Sequence, residues 1–127
     1  MRVYYAHCQA IYNTPQEQRD IDLLKQLGFE VLNPNKPNHV RMAKEMRERG
    51  ENVMLYFEGL VDQCDVLAFR SLPDGRIPAG IAKEIKRARD CTKPVFELPS
   101  SILRRSIGVE ETREYLTEMG QRSITHS

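Results

Sequence analysis

The sequence has no long apolar run, and none of its apolar segments approaches the roughly 20 residues that a membrane-spanning helix requires. It also has no CxxC pair, and its three histidines lack the spacing of metal ligands. An odd number of widely spaced cysteines argues against a disulfide framework and against a zinc site. These cysteines are Cys8, Cys64 and Cys91. We therefore expect a cytoplasmic protein with reduced thiols, no bound metal or cofactor, and no contact with a membrane.

Three common functional motifs are missing as well. The sequence has no GxxxxGK[ST] and no GxGxxG, so a Walker-type or dinucleotide-binding function has no support, and GxSxG is also absent. Lysine and arginine number 19, against 18 aspartates and glutamates. Because proteins that bind polymeric nucleic acid usually carry a strong basic excess, we expect no such partner.

Length and composition predict one domain over residues 1–127. Of the 127 residues, 40% are hydrophobic and 29% are charged. These proportions are typical of a globular chain that buries most of its length around one core. The sequence has no internal repeat, low-complexity stretch or interdomain linker.

The amino-terminal part of the chain has the pattern of a βαβ unit. Arg2–Ala6 reads RVYYA, which suits a buried strand. Thr14 can cap the helix that follows, Glu17 can complete a capping box, and Gly28 is placed to end the helix. Residues 29–32 then form a second strand, parallel to the first. The apolar stripe of the helix consists of Ile21, Leu23, Leu24 and Leu27.

The rest of the chain continues the alternation of strands and helices. We expect helices over residues 40–49 and 53–63, a strand over 65–69, a helix over 80–90 and a strand over 94–98. An edge strand over 101–107, a helix over 109–119 and a frayed tail over 120–127 complete the prediction. The core lies within residues 1–98. This order predicts a single α/β domain, doubly wound like flavodoxin and Rossmann folds, with four or five parallel strands.

In doubly wound sheets, ligands bind beyond the carboxyl ends of the strands. That rule nominates the first loop (residues 7–13), the second loop (33–38) and the third loop (70–80), each rich in polar and turn-forming residues. Glu84, one turn into the helix after the third loop, leans back toward this edge. It lies on the apolar side of its helix, so we expect it to be partly buried. The apolar neighbours on that side are Ile81, Ile85 and Ala88.

The pattern around Glu84 resembles the nucleoside 2-deoxyribosyltransferase superfamily, which includes the deoxynucleoside 5′-monophosphate N-glycosidases. The resemblance covers roughly residues 1–98. It consists of an apolar strand with an acidic flank, a GxxxE pattern, a small residue and a lysine-proline-hydrophobic strand. The corresponding residues are Asp65–Phe69, Gly80, Glu84, Ala88 and Lys93-Pro94-Val95.

The resemblance implies an enzyme that cleaves the N-glycosidic bond of a nucleoside or nucleotide. Glu84 is then the nucleophile, and Tyr4, or Tyr5 if the register slips, lies close to the reactive sugar. A second acid, which is Asp62, Asp65 or Asp74, protonates the departing base or activates water. An acidic residue on the helix before the third strand, Glu58 or Asp62, also contributes to the family's site. The remaining substrate-binding candidates are His7, Asn13, Glu58, Asp62, Arg70, Asp74 and Gly80. Small members of the family assemble as homodimers or larger homo-oligomers.

Two departures from the family pattern favour an alternative. The first loop carries His7-Cys8-Gln9-Ala10 where the monophosphate N-glycosidases have a glycine-serine and an arginine, and Pro78 stands where the family has serine or aspartate. A non-catalytic protein that has kept the fold and binds or sequesters a nucleotide is therefore the second hypothesis. An interaction protein that docks a partner through the charged helix over 40–49 is the third.

Overall fold

The computed structural model describes residues 1–99, which form one layer of strands between helices. The strands are β1 (Arg2–Ala6), β2 (Glu30–Leu32), β3 (Val66–Phe69) and β4 (Val95–Glu97). The helices are α1 (Pro15–Gln26), α2 (Pro37–Glu48), α3 (Val53–Asp62) and α4 (Ala79–Asp90), with a 3-10 turn at Gln9–Ile11 in the first loop. All four strands are parallel, in the order β2-β1-β3-β4. The predicted doubly wound α/β fold is confirmed.

The sheet has a core on each side because successive residues of β1 point to opposite faces. Val3 and Tyr5 pack with Leu24 of α1. Tyr4 and Ala6 pack on the other face, against the helices α3 and α4. The side chains that α3 and α4 contribute are Leu60, Val61, Ile81, Ile85 and Ala88.

Helix boundaries follow the local stop and start signals. Gly28 has a φ of 91° and ends α1 in the left-handed region, as predicted. Leu27, expected in the buried stripe, is 59% exposed because it is already the residue after the last turn of α1. Helix α2 begins at Pro37 and not at residue 40, since proline has the φ of a first helical residue. The elements predicted over 101–107 and 109–119 lie outside the described residues.

Lys93, from the lysine-proline pattern before β4, closes the end of α3. Its Nζ donates to the carbonyl oxygens of Val61 at 3.0 Å and Asp62 at 2.9 Å, and to that of Cys64. Carbonyls at a helix end lack intrahelical partners, and a cation there also complements the helix dipole. The lysine therefore has a structural role in tying α3 to the strand that follows α4. No helix within residues 1–99 is long and apolar enough to cross a membrane.

Candidate active site

Glu84 lies in the second turn of α4, on the face that packs against the sheet. Its relative exposure is 7%, and its neighbours along that face, Ile81 and Ile85, belong to the core. The side chain meets Tyr4 of β1, whose relative exposure is only 1%. A carboxylate and a phenol are thus enclosed together between the sheet and α4. The tyrosine beside Glu84 is Tyr4, whereas Tyr5 packs on the other face of the sheet.

Burial raises the pKa of Glu84 to about 7. The hydrogen bond donated by the Tyr4 hydroxyl lowers the pKa of Glu84, and the negative charge of Glu58 on α3 raises it. Burial, followed by the charge of Glu84, raises the pKa of Tyr4 well above its usual value, so this phenol stays protonated and remains a donor. Near neutral pH, Glu84 is therefore poised between its acid and its carboxylate form, as is typical of catalytic groups.

Glu58 and Asp62 were alternatives for an acidic contribution from α3, and of the two only the charge of Glu58 acts on the pKa of Glu84. Asp62 is the last residue of α3 and accepts two hydrogen bonds of 2.8 Å from Arg87. That pairing lowers the pKa of Asp62. Because α3 precedes β3, its last residue lies toward the amino edge of the sheet, away from the expected ligand edge. The structure brings Glu58, and not Asp62, to the candidate site.

The prediction that Asp65 belongs to the same site was wrong. Asp65 directly precedes β3, so it lies at the amino edge of the sheet, where its Oδ2 accepts a 2.8 Å hydrogen bond from the backbone of Arg2. Asp74 is also separate from Glu84. It is exposed in the third loop, where it accepts hydrogen bonds from the backbone and the side chain of Arg76.

Tyr12 in the first loop is a neighbour of Glu84 that the sequence did not indicate. Burial, followed by the charge of Glu84, raises the pKa of Tyr12 to about 12, while Arg47 of α2 lowers it. Tyr12 also lines a small surface cleft between the first loop, α2 and α3. An aromatic residue in a ligand-edge loop was a usable signal, although its partners on α2 and α4 are distant in sequence.

Tyr5 and Arg70 belong to a second polar cluster on the α1 face, centred on Asp20. Asp20 has no exposed surface. It accepts hydrogen bonds from the Tyr5 hydroxyl at 2.5 Å, from Gln16 at 2.8 Å, and from Nε and Nη2 of Arg70 at 2.6 Å each. Arg70 also donates to the Pro99 carbonyl at 2.8 Å. We call this the Asp20 cluster.

His7 and Asn13 belong to an adjoining cluster around Glu17. Glu17 accepts from His7 Nε2 at 2.7 Å, from the backbone of Asn13 at 3.1 Å and from the Asn35 amide at 2.9 and 3.1 Å. Thr14 caps α1 as predicted, since its Oγ1 accepts from the Glu17 backbone. The predicted capping box is nevertheless incomplete, because the Glu17 carboxylate bonds Asn13 and not the cap residue.

One proton is shared between His7 and Glu17. The Nδ1 of His7 lies 3.0 Å from the Tyr5 carbonyl, which only accepts, so Nδ1 carries a hydrogen. The 2.7 Å contact between Nε2 and the carboxylate then needs a second hydrogen, on either atom. Burial lowers the pKa of His7, and the hydrogen bond to Glu17 raises it. The imidazole also stacks on Tyr5, with 3.8 Å between ring centroids, and so joins this cluster to the Asp20 cluster.

The buried polar atoms of these two clusters find their hydrogen-bond partners within the protein. Within residues 1–99, no fully buried side-chain nitrogen or oxygen lacks a hydrogen-bond partner. Tyr5, His7, Asn13 and Arg70 are therefore brought together by Glu17 and Asp20, which the sequence did not indicate as site residues. Their hydrogen bonds are used within the protein, and Tyr5 points to the opposite face of the sheet from Glu84.

No contact within the described residues requires a glycine at position 80. A Cβ placed there would lie 4.0 Å from Met54 Sδ, an ordinary van der Waals distance. Gly80→Ala should therefore keep the fold and raise the free energy of unfolding by a few tenths to about 1 kcal/mol, because alanine favours the helix. Urea unfolding followed by circular dichroism measures this. A clear loss of stability would show that the space is needed by the fold. Weaker ligand binding with unchanged or higher stability would show that a ligand needs it.

The described residues contain no cluster of three or more histidine, cysteine, aspartate or glutamate side chains that could hold a metal ion. Comparisons of the sequence with family models and with curated proteins, and of the fold with solved structures, found no match.

Proposed function

We propose that this protein is a nucleoside or nucleotide N-glycosidase, or a deoxyribosyltransferase-like enzyme, that uses Glu84 as its carboxylate nucleophile. The observation that carries the proposal is the enclosed pair of Glu84 and Tyr4, with the pKa of Glu84 raised to about 7. A buried carboxyl group of this kind is costly to the fold, and strongly perturbed carboxyl groups concentrate at functional sites. The GxxxE pattern that resembles the deoxyribosyltransferases gives the group its role.

The proposed reaction needs only the groups around Glu84. The ionised carboxylate attacks C1′ of the sugar or stabilises an oxocarbenium-like transition state, and the electron pair of the N-glycosidic bond leaves with the base. The departing base takes its proton from water, and the Glu58 carboxylate is the second acidic group, which accepts a proton from the water that attacks the glycosyl intermediate. Water, or a second base, then takes the sugar from Glu84. The Tyr4 hydroxyl lies beside the carboxyl group and favours its ionised form.

The test is release of free base from a substrate panel. Each of the common ribonucleosides and deoxyribonucleosides, and each 5′-monophosphate, is incubated with the protein, and the products are separated by chromatography. Free base that forms with the wild type and not with Glu84→Gln supports the proposal. Absence of base across the panel, with and without an acceptor base, contradicts it.

Tyr4→Phe should move the acidic limb of the pH profile upward. The Tyr4 hydroxyl lowers the pKa of Glu84, so its removal raises that pKa above about 7. Because the nucleophile must be ionised, activity that rises with pH then reaches its plateau at higher pH, shifted by roughly one unit for a hydrogen bond of about 1 kcal/mol. The measurement is kcat/KM as a function of pH. Tyr56→Phe is the control, since that hydroxyl contacts His39. An acidic limb at the same pH in Tyr4→Phe and the wild type would show that Tyr4 does not affect the ionisation of Glu84.

A nucleotide-binding protein without turnover is the second candidate. It is favoured by the first loop, where His7 is engaged with Glu17 and the Tyr5 carbonyl, and by Pro78, which offers no side-chain cap to α4. Tight binding of a nucleotide by the wild type and Glu84→Gln alike, with no base released, would establish this candidate. For either function we propose a cytoplasmic setting, which the three free cysteines support.

A further inference from the structure

One carboxylate joins the first loop, the second loop and helix α1. Glu17 lies in the first turn of α1 and is 7% exposed. Its Oε1 accepts from the Asn13 backbone in the first loop, and both carboxylate oxygens accept from the Asn35 amide in the second loop. The two loops follow the adjacent strands β1 and β2. The contacts of Glu17 therefore bridge neighbouring loops at the ligand edge of the sheet.

The second loop is linked to the first loop through the side-chain amide of Asn35. Its Nδ2 lies 3.1 Å from Asn13 Oδ1, and 3.1 and 2.9 Å from the two carboxylate oxygens of Glu17. An amide nitrogen carries two hydrogens, so one is donated to Asn13 and the other is shared by the carboxylate. The backbone of Asn35 in turn donates to Asn33 Oδ1 at 2.9 Å, which ties the link to the rest of the second loop.

The backbone of Asn13 has a strained conformation. Its φ is 61°, in the left-handed region that residues other than glycine rarely adopt, although asparagine tolerates it better than most. Such a conformation persists where the surrounding contacts hold it. Asn13 is exposed, so water competes for its hydrogen bonds to Glu17 and Asn35. Loss of these hydrogen bonds therefore favours a different conformation of the first loop.

The contact of Glu17 with His7 is buried and should outlast the exposed ones. His7 Nε2 lies 2.7 Å from Glu17 Oε2, and the His7 side chain has no exposed surface. The imidazole also stacks on Tyr5 of β1. Opening a buried contact costs more free energy than opening an exposed one. The hydrogen bonds of Asn13 and Asn35 should therefore break first, while Glu17 stays in place.

We infer that Glu17, Asn13 and Asn35 form a latch between the first and second loops, so that the two loops open and close together at the ligand edge. A ligand that binds beyond the ends of β1 and β2 must pass these loops. In the open arrangement, the Asn35 amide leaves both of its partners and Asn13 leaves the left-handed region. Opening of this kind commonly controls ligand entry and product release. The inference concerns the loops alone and does not depend on the proposed reaction.

Amide hydrogen exchange of the full chain, measured residue by residue with NMR, tests the latch. The reporters in the first loop are the amides of Ile11, Tyr12 and Asn13, which are hydrogen-bonded in the closed arrangement. We expect Asn35→Ala to speed their exchange roughly 10-fold, although the substitution lies in the other loop, because it removes one or two side-chain hydrogen bonds. Glu17→Ala should speed exchange in both loops.

Two further variants provide a rescue and a control. Glu17→Gln keeps Oε1 as an acceptor for both loops, and its amide can donate to His7 Nε2, so the exchange rates should stay close to those of the wild type. Gln18→Ala changes the next residue of α1, an exposed side chain that donates to Asp22. It should leave exchange in both loops unchanged.

The wild type offers a check that needs no substitution. If one opening exposes both loops, the amides of Asn13 and Lys36 should be protected to the same degree within about threefold. The Lys36 amide is the reporter for the second loop, since it donates to the Asn33 carbonyl at 3.2 Å. Protection that differs by much more than this would show that the loops open separately, and would overturn the inference.

The variants give equally clear outcomes. Faster exchange in the first loop of Asn35→Ala, with the amides of β1 and β3 unchanged, supports the latch. Exchange that rises in the second loop alone, or that rises equally in β1 and β3, overturns it, as does an equal effect of Gln18→Ala. The base-release assay reports on the proposed function separately, since loop exchange is measured without a substrate.

Discussion

Glu84→Gln is expected to abolish base release and, above neutral pH, to stabilise the fold. A neutral amide cannot capture the sugar or stabilise an oxocarbenium ion, and loss of a positioned catalytic carboxyl group typically costs roughly 10²–10⁴-fold in rate. Glutamine has nearly the shape of glutamic acid and can still accept from the Tyr4 hydroxyl. The loss should therefore be in kcat, with the substrate still bound.

The stability effect follows from the pKa of Glu84. This pKa is 4.5 for the ordinary side chain and about 7 in the folded protein, so the folded state holds a proton that the unfolded state has released between these values. As the pH rises from about 4.5 to about 7, the wild type loses about 3 kcal/mol of stability at most. Glutamine does not ionise, so Glu84→Gln should match the wild type near pH 4.5 and exceed it increasingly up to about pH 8.

Urea unfolding at about pH 5 and pH 8, together with the base-release assay, measures both effects. Glu45→Gln is the control, because Glu45 is exposed on α2 and should change neither stability nor activity. Full turnover in Glu84→Gln would contradict the proposal that Glu84 is the nucleophile. A stability difference that does not grow with pH would show that Glu84 is not the buried, high-pKa group described above.

Breaking the Asp20–Arg70 pair is expected to cost about 3–5 kcal/mol. Both side chains are almost fully buried, so Asp20→Asn leaves the Arg70 guanidinium with an uncompensated charge. Arg70→Met in turn leaves a buried carboxylate with two neutral donors, Tyr5 and Gln16. A domain of this size has a free energy of unfolding of only about 5–15 kcal/mol, so each single variant approaches the limit of folding.

A double-mutant cycle isolates the pair. We expect the double variant Asp20→Asn, Arg70→Met to lose less stability than the sum of the single variants, because the second change no longer leaves a charge unpaired. Asp62→Asn gives a matched comparison, since its salt bridge with Arg87 is about 40% exposed on each side and should contribute little. Additive losses, or losses no larger than that of Asp62→Asn, would contradict the description of the Asp20 cluster.

The order of elements was predictable because local signals agree with one another along the chain. The first strand was placed correctly, and Thr14 and Gly28 marked the ends of α1 through their capping chemistry. The meeting of Tyr4 and Glu84 was also predictable, since the period of two in a strand and the apolar face of α4 place them on the same side of the sheet.

The Asp20 cluster could not be predicted from periodicity. On α1 the buried positions are Glu17, Asp20 and Leu24, so the stripe that faces the sheet begins with two acids. Helical spacing alone indicates that these acids lie on the same face as Leu24. A buried carboxylate then requires a cation or hydrogen-bond donors beside it. The partner of Asp20 is Arg70, 50 residues away, and no local pattern identifies it.

Asp65 could have been placed by a rule already applied to the loops. A residue before a parallel strand lies at the edge opposite to the ligand edge, whatever its chemistry. Asp65 was predicted at the site because it is acidic and belongs to a pattern that resembles a family of enzymes, although the topological rule places it at the other edge of the sheet. The structure assigns it to the backbone of Arg2.

The two tyrosines of β1 each meet a carboxylate, Tyr4 at Glu84 on one face and Tyr5 at Asp20 on the other. If β1 slid by one residue against its neighbours, a phenol would still point to each side, so the middle of the strand specifies its alignment weakly. The alignment must then be fixed at the strand ends. Arg2 and Asp65 exchange two hydrogen bonds of 2.8 Å at one end, and the Arg70 backbone donates to the Ala6 carbonyl at the other. Asp65 thus helps to fix the register of β1 against β3, and this register determines which tyrosine reaches Glu84.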